Sequence, residues 1–531
     1  MKNLLYKFSG NNDSGFIIPT VLSLILALTL ISASAAVIID SNLGIGDNNI
    51  KRQQAFNISE AGLNYYLWHL SHNGTDYKDG GTTPATPDPT LGYGPYVHDY
   101  YDDNAKLTGT YTLWIKPQGG GSTVVKIRSI GEELKSHTKR TLEAEIGSPS
   151  YASYSIASDS ALWFGANEST TGPVHSNVGV RMDGASDSDV TSANATYVPS
   201  TSIGGDGSSH PGVWCHTSVI SPVNCSTRSK VDWRYPVPSI DFNQVTTGLC
   251  TMKRTAFASD AATSGLSGLA NACTQVPNTR TAAYLPQRAT NGSYNQTRGW
   301  EIDLNNNNTY NLYQVNGEND QATSYSTALT RVLTASNVTI PSSGVIFAED
   351  NVWVRTTAGF NNRVTIGAGR LATNSNAQIM IADDMQYAVK NGTIAIGLVA
   401  EGNVSIAPYA PPQSGAFNFE VNASIVSQSG NVIYPSVYRT NSSRCTRGWV
   451  NSDQTFSFYG SVATRQIWTW TWIRSGSCPN AVYSAADGGY MSGITHNNTA
   501  YDYSLSYTPP PSFPITSSYN ILSWREVLST P

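Results

Sequence analysis

The residues best suited by type to chemistry are the adjacent acids Asp383 and Asp384, with Arg355, Arg363 and Arg370 shortly before them. Acidic metal ligands beside a basic residue would suit polysaccharide cleavage on a β-solenoid. Neighbouring residues on a strand point to opposite faces, so these two acids converge only at a turn. The eight histidines, His69, His72, His98, His137, His175, His210, His216 and His496, are scattered with no pair at clear ligand spacing. No Gly-x-Ser-x-Gly, His-Glu-x-x-His, P-loop or EF-hand loop occurs. The acidic run Asp99–Asp103 could hold calcium, and a hydrated loop is the competing reading. These patterns predict no enzyme, no cofactor and no metal site.

The six cysteines are Cys215, Cys225, Cys250, Cys273, Cys445 and Cys478. None has Cys-x-x-Cys spacing, which weakens zinc and redox readings and favours disulfides in an exported chain. Six cysteines allow fifteen pairings. Nearest-neighbour pairing (215–225, 250–273, 445–478) is expected, since each bridge would staple one local loop. The stretch "IWTWTWI" (Ile467–Ile473) alternates strictly and predicts a strand with Trp468, Trp470 and Trp472 on one face, either packed in a core or forming an aromatic ledge for sugar or a partner.

These groups must be held by some scaffold, and composition limits which. The chain has 531 residues, 13% charged and 40% hydrophobic, with net charge −5. That balance argues against disorder and against nucleic acid as a partner. Its many Ser, Thr, Asn, Gly and Tyr residues suit β structure facing an extracellular medium. The exception lies near the N-terminus, where Phe16–Ile39 is 24 residues without a charge. As a helix this run crosses a bilayer core. Pro19 falls in its first turn, where a missing N–H costs little. Lys2 and Lys7 precede it, so the bulk of the chain is expected outside. A signal peptide cut after "SASA" (Ser32–Ala35), an ordinary anchor, and cleavage between Gly15 and Phe16 that leaves the helix in place are the three readings.

"SGFIIPTVLSLILALTL" resembles a class III leader of the type IV pilin superfamily, with Gly15 at the cleavage position and Phe16 as the new N-terminus. "QQAFNISEAGLNYYLWHL" (Gln53–Leu70) resembles the "AF..AEAGL" stretch of PilX-type minor pilins, through Ala55, Phe56, Ser59, Glu60, Ala61, Gly62 and Leu63. "GTYTLWIKPQGGGSTVVKIRSIGEELKSHTKRTLEAEI" resembles the strands that follow the helix there. The resemblance covers about residues 1–147. It implies processing by a prepilin peptidase and assembly with other pilin subunits and the pilus machinery. Its membrane protein would be single-pass, with the N-terminus inside, later displayed at the cell surface. Major pilins carry a Glu five residues into the mature chain, where it neutralises a neighbour's amine; here that place is Thr20. A tip or initiating subunit fits that departure better than bulk filament.

The expected fold is mainly β with a long N-terminal helix: a pilin-like helix and small antiparallel sheet, then a β-solenoid-like module, with a β-sandwich as the alternative. The segments are a leader 1–15, a transmembrane and amphipathic helix 16–72 and a small β-sheet domain 73–147. A solenoid start 148–200, a Cys-containing insertion 201–335, solenoid 336–440 and a closing β region with a Pro-rich tail 441–531 follow. "DSNLGIGDNN" predicts a weakened or broken helix. Phe56, Leu63, Leu67 and Leu70 share a helical face, with Glu60 on it as a partly buried, paired acid or a subunit contact. "VHSNVGV", "IFAEDNVWV", "LVAEGNVSI" and "VSQSGNVIY" repeat loosely and predict solenoid coils, with Asn351, Asn403 and Asn431 at bends bonding backbone. The tail is expected to fold back and cover Phe513, Ile521, Leu522 and Trp524. Together these readings predict a minor pilin that primes or tips the filament and displays a β-rich module for adhesion, host-cell or surface glycans included. The alternatives are an anchored solenoid carbohydrate-active enzyme or a plain anchored adhesin.

Overall fold

A computed structural model describes residues 17–528 except 73–75, 82–85, 118–123, 148, 167, 202–203, 217–231, 261–272, 289–296, 321, 323, 374, 412–414, 436–453, 475–481, 485–488, 495–496 and 517–519. The chain is mainly β with one long N-terminal helix and several open sheets. It divides into two units. The first holds residues 1–116, 127–144 and 523–531; the second holds 117–126 and 145–522.

In the first unit, helix α1 (Ile17–His72) runs unbroken for 56 residues, about 84 Å at ~1.5 Å per residue. The expected break at Gly44 and Gly46 is absent. Each glycine costs about 1 kcal/mol in a helix interior, less than restarting a costly helix nucleus on the far side. Hydroxyls in the apolar run return to their own backbone. Ser23 donates to Thr20 O (2.9 Å), Thr29 to Leu26 O (2.8 Å) and Ser34 to Leu30 O (2.8 Å), so these three hydroxyls do not need water.

Four strands follow, β1 (Tyr93–Tyr101), β2 (Leu107–Pro117), β3 (Val124–Glu133) and β4 (Lys139–Gly147), and they lie side by side in that order. A strand at Asn520–Val527 adds to the β4 edge. β1 and β2 are antiparallel, with His98 opposite Tyr111. β2 and β3 alternate as period-2 strands should, burying Leu113, Ile115, Val125 and Ile127. Strand β1 lies largely beyond the 73–95 stretch read as loop.

The second unit is built on a solenoid of parallel strands in register, with the antiparallel strands Thr309–Glu318 and Leu329–Thr339 added at one end of a sheet. One sheet carries an internal ladder of apolar side chains: Ile346, Ile366, Leu398, Ile425, Val462, Ile156, Val174 and Val190, each paired with the next. All are at most 1% exposed. Full burial of each side chain stabilises by about 1.5–3 kcal/mol. The opposite sheet stacks Val352, Ile379, Val404, Val432 and Trp468 in the same way.

The ladder is out of sequence order. Strands from Ile156 onward step one way as far as Trp233–Arg234, at one end of the sheet. The chain re-enters at the other end with Tyr284–Leu285, and its coils then step back until Val462 meets Ile156. Residues 235–283 must therefore span the whole stack. They carry helix α2 (Gln244–Ala258), whose Val245, Leu249, Met252 and Phe257 are buried against the outer face of this sheet with Phe347 and Val399. Residues 201–335 thus supply strands to both sheets as well as this crossing helix.

Asparagines mark the bends as expected. Asn351 Oδ1 accepts the N–H of Gln378 (3.1 Å), Asn403 Oδ1 that of Asn431 (2.8 Å) and Asn431 Oδ1 that of Ile467 (3.0 Å). Each side chain ties its coil to the next one. The Pro-rich tail lies on the solenoid flank: Phe513 is buried, and Arg363 donates to the carbonyls of Thr508 (2.6 Å) and Pro509 (2.7 Å). Trp524 did not find the expected cover. It is 58% exposed, with an edge contact to Phe56 at 6.1 Å.

Candidate functional site

The N-terminal half of α1 is exposed along its whole apolar length; Ile18, Leu22, Ile25, Leu30, Val37, Ile38 and Leu43 all face solvent. It is long and apolar enough to cross a membrane, and nothing in its most apolar stretch is buried. So much bare hydrocarbon on one element marks a surface meant for lipid or for other helices. Gly15 and Phe16 lie outside the described residues.

Burial begins at Ala55, inside the "AF..SEAGL" stretch. Ala55, Ile58, Ser59, Gly62 and Leu63 are buried against the sheet. Small size is what the stretch supplies. A Cβ on Gly62 would stand 2.3 Å from Ser129 Oγ and 2.9 Å from the Tyr111 ring. On the sheet side, a Cβ on Gly131 would stand 2.2 Å from Ala55 O and 2.4 Å from Ser59 N. Ser59 Oγ donates to Ser129 O at 2.7 Å, which satisfies a fully buried hydroxyl. Glu60 departs from expectation. It is exposed, although Leu63 and Leu70 of its expected face are buried; Phe56, Ala61 and Leu67 are half-buried.

The end of α1 carries a polar cluster that the sequence did not announce. His69 Nε2 meets Asp76 Oδ2 at 2.9 Å and His98 Nε2 meets Asp79 Oδ2 at 2.8 Å, while Tyr65 OH donates to Asp79 Oδ1 at 3.0 Å. Asp76 also accepts the N–H groups of Lys78 and Gly80. These bonds outweigh burial, which alone would raise its pKa, and hold Asp76 below the usual carboxylate range. In the run Asp99–Asp103, Asp102 Oδ1 closes a turn by accepting from Asn104 and Lys106.

In the second unit the five residues with catalytic potential disperse. Arg355 donates to Asp303 Oδ2 at 2.7 Å and lies 3.6 Å from Asp383. Arg363 serves the tail carbonyls, and Arg370 donates to Asp350 at 2.7 Å. Asp384 Oδ1 accepts the N–H of Glu420 at 2.7 Å. The two adjacent acids therefore answer to different partners. Burial raises both, Asp384 to about 6. Around Arg355 the chain builds a cation–aromatic stack: Arg355 and Arg331 lie 4.5 and 4.6 Å from the Tyr325 ring, and Arg331 and Tyr325 both donate to the buried Glu301. Among the described residues no three His, Cys, Asp or Glu side chains converge as a metal site.

Cys250 and Cys273 form a disulfide that ties α2 to the segment after it. Lys253, one turn along α2, is fully buried; it donates to Cys273 O at 3.0 Å and pairs with Glu349. Burial pushes Glu349 up to about 7. Cys215 is also disulfide-bonded. Cys225, Cys445 and Cys478 lie outside the described residues, as does His496.

The "IWTWTWI" stretch splits between roles. Trp470 is buried in the solenoid core, Trp472 donates Nε1–H to Tyr434 O at 2.8 Å, and Trp468 ends the apolar stack of its sheet. Beside Trp468 lies a cleft of about 410 Å³ counted out to solvent, lined also by Trp163, Phe164, Glu168, Thr170 and Asn497. Only the tryptophan alternation hinted at it, since its walls come from three distant stretches.

No protein-family model matches the chain. No curated protein matches it either. Among solved structures, the crystal structure of the competence-associated pilin ComZ from Thermus thermophilus aligns over 90% of this chain and 98% of that chain, at 11% identity and a TM-score of 0.28. At that score the overlap carries no weight for fold or role.

Proposed function

We propose that the chain is a minor pilin of a type IV pilus system, which primes or tips the filament and displays its β solenoid for surface contact. The observation that carries the reading is the division of α1. An exposed apolar half follows a Gly-Phe junction, and a half rich in small residues is laid on a sheet through Ala55, Ser59 and Gly62. A prepilin peptidase cuts after Gly15, leaving Phe16 at the head of a helix that first spans the membrane, with the bulk outside. Withdrawn from lipid, the same helix packs among sister helices in a head-to-tail array that does not close. Thr20 offers no carboxylate for a neighbour's buried amine, and an uncompensated charge in that setting is costly. A subunit at the filament end avoids that pairing.

The chain performs no turnover in this reading. Asp383 is engaged with Arg355 and the Asp384 N–H, and Asp384 with the Glu420 amide, so the two carboxylates share no partner among these bonds. Intact-mass analysis of the chain from its native membrane tests the proposal. The expected mature N-terminus is Phe16. A chain that begins at Met1 or Ala36 overturns it, and so does loss of depolymerising activity on D383N/D384N substitution.

A further inference from the structure

We propose that the cleft beside Trp468 is a carbohydrate site that takes one pyranose ring. It gives the display role argued above a ligand class and rests on that reading for its biological use. Its chemistry does not depend on how the N-terminus is processed.

The cleft arises from the seam where the last coil meets the first. Elsewhere each rung of the solenoid is covered by the next. At the seam, Gln454–Thr464 is met over its last residues only by the three-residue strand Ile156–Ser158, and over Phe456–Gly460 by the separate strand Asn497–Tyr501. In the opposite sheet Trp468–Thr469 is the terminal strand, so the aliphatic stack Val352, Ile379, Val404, Val432 ends in a flat indole. That ring meets Phe164 of the next coil, on the strand Leu162–Phe164, at 5.5 Å and 42°, with the two strands in separate sheets. Trp163 stands on the same wall. Its Nε1–H is anchored on Asp183 at 3.1 Å, and the Arg181 guanidinium lies 4.6 Å from its ring.

The polar lining matches a sugar. Glu168 offers a carboxylate, already oriented by the Gly165 N–H at 2.7 Å; Asn497 offers an amide and Thr499 a hydroxyl. Three atoms on lining residues, Thr170 Oγ1, Trp468 Nε1 and Trp470 Nε1, are buried without a partner. A ring of hydroxyls both donates and accepts. Aromatic faces take the C–H side of a pyranose while the carboxylate and amide take hydroxyls, the mix of apolar walls and few fixed polar groups that small-ligand sites use. Among the described lining residues Glu168 is the only charged one, which disfavours phosphates and acidic sugars.

The test uses the full chain in detergent micelles. Methyl glycosides of glucose, galactose, mannose and N-acetylglucosamine are titrated by saturation-transfer NMR and tryptophan fluorescence. Saturable binding of at least one is expected, with Kd of about 1 mM or tighter. N497A and E168Q should each weaken it about 10-fold, the effect of one lost hydrogen bond to a charged or amide group. N498A, at the exposed neighbour outside the lining, should leave it unchanged. No saturable binding by any of the four overturns the site. So does equal binding by wild type and both lining variants, or a preference for choline over every sugar. A chain that binds sugar but begins at Met1 keeps the site and loses the pilin reading; a chain that begins at Phe16 and binds none does the reverse.

Discussion

The two units hold their acids in opposite ways. In the first unit the acids sit in turns and at strand ends. His137 and Lys139 hold Glu132 below the ordinary range, the Arg140 guanidinium does the same for Glu526, and Ser136 outweighs burial at Glu133. In the solenoid, burial comes first and wins. Glu301, Glu318, Glu401 and Asp383 are raised, Asp384 to about 6 and Glu349 to about 7. Asp206 shows that the variable is exposure and not the unit: it belongs to the solenoid unit, is open to solvent, and is lowered by His210. Stacked coils bring backbone and side chains in from both sides of every strand, so an acid on a coil is stripped of water before partners are counted. In the first unit, turn N–H groups and hydroxyls reach Asp76 and Glu133 and outweigh their burial.

The units also differ in what keeps them closed, and the sharpest way to break that comparison is at Gly131. Any side chain there meets the backbone of α1 at Ala55 and Ser59. Gly131→Val should cost roughly 4 kcal/mol or more, the size expected of a backbone collision that cannot relax. Hydrogen exchange should show loss of protection in residues 55–70 while the solenoid amides keep theirs. The solenoid spreads its cohesion over a ladder. Ile425→Ala, between Leu398 and Val462, should cost about 3 kcal/mol through a cavity its neighbours only partly fill. Protection should fall across several coils and leave 55–70 untouched.

The smallest effects are electrostatic and should carry opposite signs. Asp384 has a raised folded pKa, so folded and unfolded chains are both protonated in strong acid. As pH climbs from about 4 to 6 only the unfolded chain releases its proton, and stability falls. Asp384→Asn should raise the solenoid's melting temperature at pH 7.5 and leave it unchanged at pH 4. Glu132 has a depressed folded pKa, so its contribution is present above the ordinary carboxylate range and is lost as pH falls through the depressed value. Glu132→Gln should lower the first unit's stability at pH 7.5, by under about 1 kcal/mol for so open a pair, with the difference fading in acid. Melts that shift in the same direction for both variants would refute the contrast.

Local pattern sufficed wherever neighbours in sequence are neighbours in space. An uncharged run of Leu, Ile and Ala becomes a helix and stays bare among the described residues. Leu63 and Leu70, spaced along one helical face, are buried as their periodicity predicts. Asn before Val marks a coil bend, since the amide needs only the adjacent coil's backbone within reach. Tertiary structure decided everything that depends on partners far along the chain. Continuity of α1 through Gly44 and Gly46 is a cooperative property that a local glycine penalty does not contain. Glu60 faces solvent because the buried face of α1 runs through Ala55, Ile58, Ser59, Gly62 and Tyr66, and position 60 lies off it. The pairing of Val462 with Ile156, and with it the seam, the crossing helix and the cleft at Trp468, follows from which coil stacks on which. Every coil presents the same branched apolar face, so composition cannot order them; only the closed path of the whole chain can.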